Sequence, residues 1–223
     1  MEGFIVNILE LLAAFSGFYF LMKNKDSKLR PFVYFLVITV CVDALGSYAN
    51  LYENFEFLKP IQATQFKENF WLYNTYIIGS LFFFIIFYIG ILQIERHKKI
   101  LRILIVLSIL VVSFNIFESV EIYFKMYLKY NFIWTTFCVF LAVSFYFYEV
   151  LMSDKVLVFY KSTLFYISVG LLLWWLVLPP FIFYMPYYKE IYPQVVNFRG
   201  VIILSINIYL YSCYIIGFLW GKE

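Results

Sequence analysis

The sequence predicts an all-α integral membrane protein: one bundle of seven transmembrane helices, N-terminus outside and C-terminus cytoplasmic. Three observations predict it. Hydrophobic residues make up 64% of the 223 and charged residues 14%, whereas a soluble domain is nearer half apolar and a quarter charged. One soluble core of this size does not bury that excess, and lipid is its natural solvent. Seven stretches reach the roughly 20 apolar residues that a bilayer crossing needs. Lysine and arginine, finally, crowd onto alternate connections.

The first span is read as Phe4–Met22. It opens Met1-Glu2-Gly3 and carries its basic cluster after the apolar run. A secretory signal peptide has the opposite order and a small-residue cleavage site, so this segment is expected to be retained. The others follow at Pro31–Leu51, Phe70–Leu92, Ile100–Ile122, Phe132–Met152, Thr163–Phe183 and Val201–Trp220. The connections are too short for a second domain, so residues 1–223 form one transmembrane domain. Aromatics reach 24%. Tyr and Trp suit the headgroup zone, and a codon bias toward A/T explains the phenylalanine excess equally well.

Orientation follows from the 17 basic residues. Lys23, Lys25, Lys28, Arg30, Arg96, Lys98, Lys99, Arg102, Lys155, Lys161 and Lys222 fall on one side of the bundle. Lys59, Lys67, Lys125, Lys129, Lys189 and Arg199 fall on the other. The richer side is cytoplasmic by the positive-inside rule, and an odd span count then places the N-terminus outside.

Composition also excludes chemistries. The net charge of +3 is spread over short loops, which argues against nucleic acid. Cys41, Cys138 and Cys213 lie within apolar runs without metal spacing and read as small buried hydrophobes. His97, the one histidine, sits in a basic loop. One histidine supplies neither a bis-histidine haem nor a His-Glu-x-x-His metal site. The last span has no lysine for a retinal Schiff base. A Gly-x-Ser-x-Gly elbow and a phosphate-binding glycine loop are missing too. The expectation is no catalysis, no metal and no cofactor.

Polar residues inside the spans carry the functional information, because a charge in hydrocarbon costs at least about 2.5–3.5 kcal/mol and normally faces the bundle interior. Asp43 lies near the middle of span two. Thr39, Asp43, Ser47 and Asn50 follow at i, i+4, i+8 and i+11, one stripe on one helix face. The stripe reads as the wall of an outward-facing pocket or as interhelical hydrogen bonding. Glu10 sits at mid-depth in span one. Ala14 and Gly17 follow on its side and admit a neighbouring helix. Asn115, Glu118 and Glu121 mark the outer end of span four, with Glu118 expected inside and Glu121 at the headgroups. Asn74 is expected to point inward; Trp71 and Tyr73 beside it read as interfacial anchors. In span six, Pro179-Pro180 is expected to kink or end the helix. Span seven contributes Arg199, Ser205 and Asn207. Arg199 is the natural counter-ion for Glu118, Asp43 or a ligand anion. The ligand-binding set is therefore Asp43, Ser47, Asn74, Glu118, Arg199, Glu10 and Asn207, with Asp43, Asn74, Glu118 and Arg199 expected to converge.

A faint internal echo joins the halves: Phe20-Leu21-Met22 with Val150-Leu151-Met152, and Tyr88-Ile89-Gly90 with Tyr214-Ile215-Ile216-Gly217. It fits spans one to three and five to seven as parallel repeats around span four, the three-plus-one-plus-three plan of some transporters.

Trp71-Leu72-Tyr73-Asn74, Tyr148-Glu149-Val150-Leu151, Asn207-Ile208-Tyr209-Leu210-Tyr211 and Gly217-Phe218-Leu219-Trp220 together resemble small seven-transmembrane proteins of Bacteroidetes-type bacteria. Pro179-Pro180 departs from the family phrase. The resemblance spans nearly the whole chain and implies a bacterial inner membrane, but no activity. The leading expectation is a non-enzymatic sensor or accessory subunit. It would bind a small ligand or a partner helix in its outer half and act through another membrane protein. The alternative is a small transporter or channel using Asp43 or Glu10 as a proton or cation site.

Overall fold

Apolar runs in lipid must satisfy their backbone polar groups internally, and a helix does so within one segment. The computed structural model describes residues 2–52, 55–191 and 195–222, with side chains at 2, 4, 155, 182, 184–191 and 195–199 excepted. Its described residues form helices α1 (Glu2–Lys23), α2 (Arg30–Gly46), α3 (Phe70–Ile91), α4 (Glu95–Glu118), a single turn α5 (Val120–Tyr123), α6 (Lys129–Leu151), α7 (Thr163–Ile191) and α8 (Val195–Trp220). A 3-10 turn over Ser47–Asn50 extends α2. Seven of these helices, all but α5, are long and apolar enough to cross a membrane.

Several boundaries depart from expectation, among them the start of α8 at Val195 instead of Val201; two are instructive. α4 starts at Glu95, before the apolar run expected from Ile100, because its amino end is capped from another helix. The Glu149 carboxylate on α6 accepts the backbone N–H groups of Gln93 at 2.7 Å and Ile94 at 3.0 Å. It also meets His97 Nδ1 at 2.9 Å, and the His97 ring stacks on Phe145 at 4.5 Å. At the other end, α7 runs through Pro179 and Pro180 to Ile191 instead of stopping there. The prolines do remove two helix N–H donors, so the carbonyls of Trp175 and Leu176 lose their usual i+4 partners.

Short connections make successive spans antiparallel neighbours, and their contacts close a ring. α1 packs on α2, α2 on α3, α3 on α6, α6 on α7, α7 on α8, and α8 back on α1. α4 packs on α3 and α6 from outside this ring. Two cross-helix hydrogen bonds hold it there: Trp134 Nε1 donates to Ser108 Oγ at 2.9 Å, and Asn115 Nδ2 to Asn131 Oδ1 at 2.9 Å. Small residues set the close approaches. A Cβ on Gly17 would meet Val33 at 3.0 Å and Phe218 at 3.3 Å, so α1 seats between α2 and α8. A Cβ on Gly170 of α7 would meet Cys213 Cβ of α8 at 3.1 Å. Aromatics fill the ring: Phe35 stacks on Phe83 at 4.2 Å, and Phe32 meets Tyr214 edge-on at 5.1 Å.

Candidate functional site

The ring encloses a cavity of about 330 Å³. All six ring helices line it, and α4 does not. Its walls are Val6 and Glu10 of α1, Thr39 and Asp43 of α2, and Tyr73, Tyr76 and Ser80 of α3. Phe132 of α6, Trp174 and Trp175 of α7, and Asn207 and Tyr211 of α8 complete them. These positions lie early in α1, α3 and α6, late in α2 and near the middle of α7 and α8. Antiparallel packing brings them to one depth, in the half of the bundle where α1 begins.

Each polar side chain is placed by helix register. Glu10 is 3% exposed, and its Oε1 accepts the Tyr211 hydroxyl at 2.6 Å. Asp43 faces the same cavity as Glu10 and Tyr73, near enough for its charge to act on both. Gly46, almost one turn beyond Asp43, leaves room for the Tyr73 hydroxyl; a Cβ there would meet it at 2.7 Å. Thr39 sends its own proton to the Phe35 carbonyl at 3.0 Å, so the Tyr76 hydroxyl, 2.8 Å away, donates to Thr39. Trp174 Nε1 donates to Asn207 Oδ1 at 2.9 Å, and Asn207 Nδ2 donates to the Ile203 carbonyl at 2.8 Å.

Three expected members lie elsewhere. Asn74 is buried but turned from the cavity: Nδ2 donates to the carbonyls of Tyr123 at 2.8 Å and Met126 at 2.9 Å, and Oδ1 accepts the Leu128 N–H at 3.0 Å. It staples the α4–α6 connection to α3. Glu118 is exposed, because α4 stands outside the ring and its carboxyl end faces the surroundings. The expected meeting of Asp43, Asn74 and Glu118 in one centre is therefore not what the fold builds. Ser47 caps its own helix, donating to the Asp43 carbonyl at 3.0 Å. The Arg199 side chain lies outside the described residues. Among expected residues, the fold brings Asp43, Glu10 and Asn207 to one cavity, and Thr39 joins them.

Tyr73, Tyr76, Trp174 and Tyr211 were not singled out as wall residues. Spacing contains the clue: Ile203, Asn207 and Tyr211 recur at four-residue intervals, as do Tyr76 and Ser80.

A second cavity, of about 630 Å³, opens at the opposite end between α3, α6, the α6–α7 connection and Lys222. Along α3, Phe84 lines the first cavity and Ile91 the second, a separation of two turns. The layer between holds Tyr88 and Ser168, both fully buried and hydrogen-bonded at 2.7 Å. Among the described residues, no three His, Cys, Asp or Glu side chains gather to hold a metal ion.

Fold and site together define a multi-pass helical membrane protein with a largely apolar cavity, carrying two acids, lined by six of its spans. No family model matches the chain, and neither a curated protein nor a solved structure matches it.

Proposed function

We propose that this protein is a non-enzymatic sensor or accessory subunit of a bacterial inner membrane. It holds a small ligand in the ring cavity and acts through another membrane protein. The observation that carries this reading is the cavity itself. Two carboxyl groups are expensive in hydrocarbon, yet Glu10 and Asp43 meet in a concave, aromatic-walled space at the low end of ligand-pocket sizes. A packing role alone needs neither the space nor the acids. The excess of basic residues on the connections at the other end supports an outward-facing cavity. The connections are short, so a signal passes laterally, and the exposed apolar face of α4 offers a membrane partner a surface.

The test uses the full chain in lipid nanodiscs. Trp174 and Trp175 border the cavity and report on it by fluorescence. Ligand in the cavity raises the unfolding temperature by mass action and shifts the emission. Ser80→Trp, which fills the space, abolishes both responses. Responses that survive Ser80→Trp, in a variant that folds, overturn the cavity as the site.

The second cavity favours a second reading, a small transporter that alternates access by parting the Tyr88–Ser168 layer. The ring order, α1–α2–α3 joined at both ends to α6–α7–α8 with α4 outside, suits a three-plus-one-plus-three plan. Flux into proteoliposomes, lost in Asp43→Asn, selects this reading; binding without flux selects the sensor.

A further inference from the structure

Resting on the reading that the ring cavity holds a small ligand, we infer that the ligand is an organic cation, an ammonium head on a compact apolar body. Three properties of the wall point there. The first is charge. Among the described residues, the charged side chains of the wall are Glu10 and Asp43, both acidic. Two carboxyls on one small cavity attract a positive guest and repel a negative one.

The second is the direction of its hydrogen bonds. The donors on Tyr76, Tyr211, Trp174 and Asn207 are already turned to partners within the wall. What the described wall keeps for a guest near the acids is carboxylate oxygen and the Tyr73 hydroxyl. A guest that only accepts finds most of those donors spent, whereas a cation is matched by carboxylate charge whether or not it carries an N–H. A carboxylate or phosphate ligand would also meet like charge.

The third is shape. A hard inorganic cation takes a tight cage of six or more oxygens. This cavity is too roomy and too aromatic for that. Tyrosine and tryptophan faces suit a soft cation, whose charge is attracted by the ring quadrupole while its methyl or methylene surface packs on the same ring. Tyr73, Tyr76, Tyr211, Trp174 and Trp175 line the same cavity as the two acids, the combination of rings and negative charge that suits an ammonium group.

The experiment compares three guests of nearly the same shape: choline, its neutral carbon isostere neohexanol, and the anion tert-butylacetate. Each is titrated against the full chain in nanodiscs with tryptophan emission as the readout. Choline is expected to saturate the signal, with neohexanol and tert-butylacetate at least about tenfold weaker. Asp43→Asn is expected to remove that preference; if Asp43→Asn does not fold, Glu10→Gln serves. Equal or tighter binding of neohexanol or tert-butylacetate overturns the cation assignment and leaves the ligand-binding reading standing. No saturable signal from any of the three overturns both. A choline preference unchanged in the folded acid variant also overturns the assignment, because the acids then contribute nothing to it.

Discussion

α3 and α4 are consecutive spans of similar length, yet they live in different surroundings. The most apolar window of α4 has a mean hydropathy of 2.6 against 1.9 for α3, but only 22% of it is buried against 44%. α3 sits in the ring and gives Tyr73, Tyr76 and Ser80 to the cavity; α4 gives none. The more hydrophobic helix is the peripheral one. In water that would be inverted. In lipid, hydropathy records how much of a helix the acyl chains touch, and polarity records what faces other protein. α4 therefore behaves as a buttress on the α3–α6 seam, and α3 as part of the working wall.

The sharpest way to break this contrast is to insert the same bulk in ring and buttress. Gly170→Leu forces a side chain against Cys213 and Leu210, where close-packed overfilling costs about 1–3 kcal/mol or more. Leu110→Phe on the exposed face of α4 is expected to cost less than about 0.5 kcal/mol. Reversible unfolding in mixed micelles measures both. Equal costs would mean that ring and buttress are not distinct.

A second, smaller effect separates staple from site on α3 itself. Asn74→Ala orphans the groups it holds near residues 123–128, and the expected cost is about 1–3 kcal/mol. Hydrogen exchange should accelerate at Leu128, whose N–H loses its acceptor, while the cavity response of Trp174 and Trp175 stays intact. Loss of the cavity response with unchanged exchange would return Asn74 to the binding set.

The smallest effects belong to α4. Trp134→Phe removes the bond to Ser108 and is expected to cost about 0.6 kcal/mol, the usual worth of such a bond between membrane helices. Glu118→Gln, on an exposed position, should change neither stability nor binding beyond about 0.5 kcal/mol. A large effect of Glu118→Gln on the cavity response would make α4 part of the wall after all.

Much of this was legible in the sequence. Span number and placement follow from lengths of apolar run, a signal that a bilayer makes nearly obligatory. Asp43, Glu10 and Asn207 were legible for a related reason: a polar group at mid-span has few places to go but inward. What was not legible is which helix stands beside which. Hydropathy carries no neighbour list, so Glu118 was read as internal on a helix that turned out peripheral. Asn74 was read as a wall residue when its partners are carbonyls and an N–H some 50 positions away. The Glu149 cap on α4 escaped for the same reason, since its acceptors and donors lie 52 to 56 residues apart. The aromatic wall was hidden by abundance: among 21 tyrosines, the ones that matter differ only in the face they occupy.

The bond between Glu10 and Tyr211 has a consequence in time. Its partners are 201 residues apart, so the carboxyl enters the membrane first and its hydroxyl nearly last. At about 5–20 residues per second of synthesis, Glu10 waits roughly 10–40 s for that partner, while Asp43 arrives within a few seconds. The first two helices thus bring both acids into the membrane long before α8 closes the ring around them. Assembly of this ring ends where it began, at α1, and the pair of carboxyls that the mature cavity displays is also what the nascent chain has to shelter.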